Sequence, residues 1–390
     1  MNKKFPVLFL LIILSFFSLF VNSASSKSTN SKKIYTDSLV TISISAVGDL
    51  MCHTIESNYA KVSADSFNFN PFFDSVKKFI KEPDFAFGNL ETVTAGRSEG
   101  YSGYPMFNSP DEFISGIKYA GFKLISTANN HAFDRGAEGV LRTIRELNKN
   151  RLCYNGTFVS QKDRDSIRIF NIKGIKVAFL AYTYGTNGNK IPSGKSYLIN
   201  LIDTNLIRQD IAKARLDSAD VVLLHFHFGV EYKRIPVAYQ EKIVAASIRA
   251  GADIIIGGHP HVIEPVNYFK TTEPNMDTGF VAYSLGNFIS NQRWRYSNAG
   301  VILTLYITKD FSTNSVSISN VEFLPTWVFK GKTPYGNQYL ILPSQEAFGN
   351  NIPKYLTGSD LMKMRQAFQD TKNILSLFTK KISLEKIPGY

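Results

Sequence analysis

The sequence predicts an α/β fold, on three observations. From residue 41 onward, short apolar runs rich in β-branched residues alternate with segments of helical period, the pattern of buried strands joined by helices. The chain is 44% hydrophobic and 19% charged over 390 residues, which supports a substantial core and excludes a disordered protein. Beyond residue 299 the period changes to two, which marks antiparallel strands.

Taken in order, the first segment lies outside the fold. Lys3 and Lys4 precede an uncharged apolar run over 5–21 and then Asn22, Ser23, Ala24, Ser25 and Ser26, the charged, apolar and small-residue parts of an export signal. Cleaved near Ser23 or Ala24, or retained as an N-terminal anchor over 1–24, it places the rest of the chain outside the cytoplasm. The protein is then periplasmic or extracytoplasmic, touching the cytoplasmic membrane only through this segment. Residues 25–37 are mostly Ser, Lys, Asn and Thr with almost no apolar content, and a disordered spacer is expected over 25–40.

Strands are expected over 41–47, 84–88, 124–128, 176–181, 221–227, 254–256 and 281–285. Helices are expected over 72–80, 111–120, 137–148, 206–218 and 238–250. Residues 301–305 and 316–319 read as an antiparallel hairpin, and 358–381 as a peripheral helix. The expected organisation is a site-bearing domain over 41–305 with a β-hairpin and helical extension over 306–390 packing on it.

Lys and Arg number 44 against 32 Asp and Glu, a net charge of +12, so the surface suits anions: nucleic acid, acidic lipid or an acidic polymer. Two cysteines, Cys52 and Cys153, exclude a cysteine-rich zinc module and a dense disulfide framework, and their pairing cannot be read from sequence. The 30 Phe and 19 Tyr read mostly as core, not as a stacking platform.

Polar clusters sit where the expected strands end. They are Asp49 with Cys52 and His53; Asn89 and Glu91; Asn129, Asn130, His131 and Asp134; His225, His227 and Glu231; His259, Pro260 and His261; and Asn287. In open α/β sheets ligands bind beyond the carboxyl ends of the strands. All six histidines of the chain belong to these clusters. Mixed Asp, Glu, Asn and His ligands suit Mn, Zn or Fe, and a bridging carboxylate among histidines is the ligand set of a two-metal hydrolytic centre. Each residue also has a structural alternative: Asp49 as a turn cap, Glu91 as an ion-pair partner, the histidines as satisfied loop or strand-end groups.

The series Gly48-Asp49, Asn89-Leu90-Glu91, Asn129-Asn130-His131 with Asp134 and Gly136, His227-Phe228-Gly229-Val230-Glu231-Tyr232, Gly258-His259-Pro260-His261 and Tyr283-Ser284-Leu285-Gly286-Asn287-Phe288 closely resembles the CapA family. These are poly-γ-glutamate capsule synthesis proteins with a metallophosphoesterase-like domain, and the resemblance covers about 42–292. It implies a four-layer α-β-β-α sandwich of the metallo-dependent phosphatase type, with the site at the edge of two sheets. It implies one or two divalent metal ions, with Asp49 and His261 in the first position, Asn130, His227 and His259 in the second, and Glu91 bridging. His131 would be the general acid, its ring oriented by Asp134; a metal ligand is its competing role. His53 and His225 are possible additional members. Ordinary metallophosphoesterases begin with Asp-x-His, whereas Asp49-Leu50-Met51 lacks the histidine, and Glu91 stands where they carry Asp. Asn89, Asn287 and Arg293 are expected at the substrate. Lys233, Arg234 and Arg295 flank the motif loops and could hold an anion.

The function expected is an exported, metal-dependent hydrolase-like protein acting on an anionic envelope or capsule polymer or its phosphorylated precursor. The alternatives are a non-catalytic component of a capsule synthesis or export complex, and an exported nuclease or nucleotidase. No nucleic-acid groove or base-stacking motif is visible, so nucleic acid is not an expected partner.

Overall fold

The computed structural model describes residues 38–350, 352–381 and 383–384. The export signal, and the spacer up to residue 37, lie outside the described residues; Leu39 and Val40, expected in the spacer, instead pair with Asp310 and Lys309 as the start of the first strand. In chain order the elements begin β1 (Leu39–Leu50), α1 (Thr54–Ala60), β2 (Lys61–Ser63), β3 (Ser66–Phe67), α2 (Lys77–Lys81), β4 (Phe85–Leu90), α3 (Glu112–Ala120) and β5 (Leu124–Ser126). There follow α4 (Gly136–Lys149), β6 (Cys153–Asn155), α5 (Gln161–Arg164), β7 (Arg168–Ile172), β8 (Ile175–Thr183), α6 (Thr204–Leu216), β9 (Val221–His227), α7 (Ala238–Arg249) and β10 (Ile254–Gly258). The last are β11 (Val266–Lys270), β12 (Thr278–Ala282), β13 (Asn287–Ile289), β14 (Ala299–Asp310), β15 (Ser315–Thr333), β16 (Gly336–Pro343), α8 (Gly358–Leu375) and β17 (Ser383–Leu384).

Two sheets form. The first runs β16-β15-β14-β1-β4-β5-β6, with β13 beside β1 and β17 beside β15. The second runs β11-β12-β10-β9-β8-β7. In the first, β1, β4, β5 and β6 are parallel and β14 joins β1 antiparallel. In the second, β8, β9, β10 and β12 are parallel, with antiparallel edges β7 and β11.

Side chains alternate between strand faces, and here both faces are buried. Ile42, Ile44, Phe87 and Leu124 meet Val177, Phe179, Val221, Leu223, Ile254 and Ile256 between the sheets. The opposite faces carry Val47, Ala86 and Ile125 toward Phe113 and Ile117 of α3, and Leu180, Val222, Leu224 and Ile255 toward Ile207 and Ile211 of α6 and Ile243 of α7. The result is the expected four-layer α-β-β-α sandwich. Strands covered on both sides read as continuous apolar runs, which is why they stood out in sequence.

The differences from expectation have local causes. The strand expected over 281–285 is β12, which ends at Ala282; the chain then crosses toward the first sheet as β13. The helix expected over 72–80 is a 3-10 turn, Asn70–Phe73, followed by the short α2, with Pro71 at the front of the turn. The hairpin gains a third strand, β16, and extends the first sheet. The boundary expected at 305 falls inside β14. The helix expected over 358–381 stops at Leu375, and it buries Met364 and Ala367 against Trp327, Phe329 and Leu342. Cys52 is buried and Cys153 exposed, and both are free thiols.

Candidate metal centre

The site is the polar continuation of the inter-sheet core. On β9 the inward row runs Val221, Leu223, His225, His227; on β4 it runs Phe85 and Phe87 and then Asn89, with Glu91 just past the strand. The same alternation that builds the core therefore delivers polar groups into the seam where the strands end. Asp49 enters from β1 at an irregularity in its pairing with β4 and β13. Gly48 permits this: a Cβ there would lie 1.9 Å from the Gly286 carbonyl oxygen. His259 and His261 follow β10 with φ of 97° and 58°. Positive φ at a non-glycine residue costs about 1–3 kcal/mol and concentrates at functional sites. With Pro260 between them, the two imidazoles turn toward the carboxylates.

Asp49 Oδ1 accepts from Asn89 Nδ2 at 2.8 Å, and Oδ2 accepts from the His259 backbone N–H at 3.3 Å and lies 3.4 Å from His261 Nδ1. Glu91 Oε1 is 3.4 Å from His227 Nε2 and 3.9 Å from His261 Nε2. Asn130 Oδ1 meets His227 Nε2 at 2.9 Å. Three triads bring their ligand atoms within 4.8 Å of one another: Asp49, Glu91 and His261; Glu91, His227 and His259; and Glu231, His259 and His261. Glu91 belongs to the first two, as a bridging carboxylate must.

The electrostatics fit a cation. Glu91 is fully buried and neither carboxyl oxygen has a hydrogen-bond donor, and His259 Nδ1 is likewise unpartnered. A buried carboxylate without donors carries a desolvation cost that a divalent ion would offset. Burial, reinforced by the Asp49 charge, pushes Glu91 up to about 8. Burial opposes the charge of Asp49 too, but the His261 hydrogen bond and charge and the Asn89 hydrogen bond hold its carboxyl well below the usual range. Burial also opposes the charge of His261, yet Glu91 and Asp49 raise it to about 9. His227 and His259, lowered by burial to about 3 and about 2, stay neutral, the form in which imidazole binds metal.

His131 stands beside this cluster. Its Nδ1 is 2.8 Å from Asp134 Oδ2, which also accepts from the Phe107 N–H at 2.7 Å. The His131 backbone N–H donates to Asn129 Oδ1 at 3.1 Å, and Phe107 packs edge-on against the ring at 4.7 Å. Nε2 is thereby the ring atom left for a ligand.

Several expected members lie elsewhere. His53 is outside the three triads: its Nδ1 accepts from the Asn291 N–H at 3.3 Å and is 3.4 Å from Glu56 Oε1, and Phe107 stands between it and His131. His225 Nδ1 meets Ser126 Oγ at 2.8 Å, and burial lowers that ring to about 3. Asn89 and Asn287, expected at the substrate, instead hold site groups. Asn89 Nδ2 also lies 3.2 Å from His227 Nδ1; Asn287 Oδ1 is 3.1 Å from His261 Nδ1 while its Nδ2 donates to Gln292 Oε1 and the Ser297 carbonyl. Arg293 donates to the Val328 carbonyl at 2.9 Å. Arg295 forms two hydrogen bonds with Asp370, whose carbonyl accepts from Arg234. These arginines tie a site loop to the C-terminal elements. Two residues had no role assigned from sequence: Glu231, and Asn129, whose Nδ2 donates to the Leu90 carbonyl at 2.7 Å. Their signal was present, since both lie inside motifs.

The four-layer sandwich thus gathers carboxylates, an asparagine and imidazoles at the ends of its central strands, the donor set of a candidate metal centre. More particularly, residues 43–292 match the family model described as bacterial capsule synthesis protein PGA_cap, and the chain belongs to that family. It is 28% identical over 273 residues to "Capsule biosynthesis protein CapA" of Bacillus anthracis, covering 68% of this chain and 64% of that one, just under two thirds of its length. It is 28% identical over 291 residues to "PGA biosynthesis protein CapA" of Bacillus subtilis (strain 168), covering 74% and 73%. Among solved structures, the NAD nucleotidase of Haemophilus influenzae aligns at a TM-score of 0.47 and 15% identity, over 89% of this chain and 64% of that one.

Proposed function

We propose that this chain is an exported, metal-dependent phosphoester hydrolase of capsule or envelope assembly, acting on an anionic polymer or its phosphorylated precursor. The observation that carries the reading is Glu91: a fully buried carboxylate without donors, shared by two ligand triads. Asp49, Glu91 and His261 would hold one ion, and Glu91, His227, His259 and Asn130 a second; Mn, Zn and Fe suit the donors. Bound there, the ions would supply Lewis-acid polarisation of a phosphoryl oxygen and acidification of water.

The protein's own groups account for the rest. Asn89 and Asn287 orient the ligands His227 and His261 from behind. Asp134 and the Phe107 N–H fix the His131 ring. As water oxygen bonds to phosphorus and the ester P–O bond breaks, protonated His131 delivers a proton from Nε2 to the departing oxygen. The attacking water gives up its proton to solvent, and the ring is reprotonated from solvent. The apolar run and small-residue exit at 5–26, and relatives named for capsule biosynthesis, support export.

The test is metal content by mass spectrometry with turnover of p-nitrophenyl phosphate and bis-p-nitrophenyl phosphate. Glu91→Gln should lose bound metal and hydrolysis together. His131→Ala should keep metal and lose about 10²–10⁴-fold in kcat for esters with poor leaving groups. Undiminished metal binding and turnover in Glu91→Gln would overturn the reading. A metal-loaded protein inert toward every ester would leave the assembly role in its place.

A further inference from the structure

The chain after β8 reads Thr186-Asn187-Gly188-Asn189, and Asn-Gly is the dipeptide preferred by tight turns with two positive-φ residues. The structure forms that turn. Its φ values are 51° at Asn187 and 77° at Gly188, and the Asn189 N–H donates to the Thr186 carbonyl at 2.9 Å. The Thr186 hydroxyl donates to the Asn189 carbonyl at 2.7 Å and closes the turn a second time. Both flanks are anchored. Before the turn, the Tyr184 N–H donates to the His227 carbonyl at 3.0 Å. After it, Ile191 packs against the cluster of Ala132, Phe133 and Val140, just past Asn130.

At the tip of the turn, Asn187 Oδ1 accepts from Asn130 Nδ2 at 3.2 Å and from the Tyr184 hydroxyl at 3.4 Å. The Tyr184 ring lies nearly parallel to His227, 6.3 Å away at 11°, and 4.6 Å from His259. One short segment thus touches Asn130, His227 and His259, the three groups assigned to the second metal position alone. The first position takes its supports from elsewhere: Asn89 holds Asp49, and Asn287 holds His261.

We infer that Asn187 is a positioning residue for the second metal position, setting the Asn130 amide with its oxygen toward the ion. The inference rests on the metal-centre reading in taking Asn130, His227 and His259 as ligands. An amide binds a cation through its oxygen, and its NH2 group then needs an acceptor elsewhere. Asn187 Oδ1 is that acceptor, while Asn130 Oδ1 meets His227 Nε2 at 2.9 Å. Without Asn187 the amide is free to rotate and present its N–H groups where the ion would sit. Residues that orient metal ligands from behind typically carry about 10–100-fold in affinity.

The turn lets acceptor and backbone be tested apart. Asn187→Gly removes the acceptor and leaves Gly-Gly, which the same turn accepts. Asn187→Asp keeps an acceptor on a residue that tolerates positive φ. The metal-free full chain is titrated with manganese chloride, with calorimetry for stoichiometry and affinity and electron paramagnetic resonance for paired ions. Circular dichroism checks the fold of each variant. The unsubstituted chain should take up two equivalents and show a spin-coupled pair. Asn187→Gly should keep the first equivalent and bind the second about 10–100-fold more weakly, and Asn187→Asp should restore both. Unchanged affinity for the second equivalent in Asn187→Gly, equal weakening of both, no restoration by Asn187→Asp, or a single equivalent in the unsubstituted chain would each overturn the inference. Failure of the underlying reading looks different, because Glu91→Gln would then bind manganese undiminished. Loss of metal in Glu91→Gln with both equivalents kept in Asn187→Gly sinks the positioning role alone.

Discussion

At the scale of single residues, protons and metal compete for the same groups. In the metal-free protein Glu91 and His261 are raised to about 8 and about 9, so both carry protons near neutrality that a cation must displace. Metal affinity should therefore climb as pH rises from about 6 to about 9, with up to two protons released per binding event. Calorimetry in buffers of different ionisation enthalpy counts those protons; a flat pH dependence would contradict the assignment of these two groups as ligands. The residues behind the ligands matter as well. Asn89→Ala removes a donor from Asp49 and a neighbour from His227, and should weaken metal binding about 10–100-fold.

At the scale of elements, glycines set how closely strands and loops approach the centre. A Cβ on Gly258, at the end of β10, would lie 2.8 Å from Asp49 Oδ1. Gly258→Ala should displace that carboxylate and cost metal affinity while leaving the circular dichroism spectrum of the fold intact. Farther away, the tie between α5, α6 and β8 is structural. Arg164 makes two hydrogen bonds with Asp210, which also accepts from Tyr182 at 2.7 Å, and both charged side chains are nearly buried. Asp210→Ala strands the guanidinium and the phenol, so urea denaturation should show a loss of about 3 kcal/mol. A change below 1 kcal/mol would mean that water replaces the pair.

At the scale of the whole molecule, the proposed ligands come from both sheets: Asp49, Glu91 and Asn130 from the first, His227, His259 and His261 from the second. Bound metal would cross-link the sandwich at its open end. Chelation should lower the melting temperature, since saturation at about 100 times Kd stabilises the native state by about 2.7 kcal/mol. The metal-free protein should also respond to pH with a definite sign. His225, His227 and His259 have folded values below 6.5, so the stability they permit is lost as pH falls below about 6.5. Glu91 and His261 have raised values, so above about 6.5 the native state binds more protons than the unfolded chain and stability falls as pH rises toward about 9. Melting of the chelated chain should peak near neutrality, and metal should flatten the alkaline side. Among the described residues no helix is long and apolar enough to cross a membrane.

Much of this was legible in the chain because strand burial and helix amphipathicity are short-range patterns. Apolar runs announced β1, β8, β9 and β10, and the polar residues that end those runs announced the seam. Six histidines confined to these clusters identified the candidate centre before any distance was known. Tertiary structure decided what each polar residue faces. Asp49 meets the His259 N–H across 210 positions of sequence, a contact set by the packing of one sheet on the other. Asn89 and Asn287 became supports instead of substrate contacts because their neighbours consume their amides. The arginines of the 293–295 loop could have faced a ligand; Asp370, 75 residues away on α8, and the Val328 carbonyl drew them off. Periodicity determines which face a side chain takes, and only the packed partner on that face determines its task.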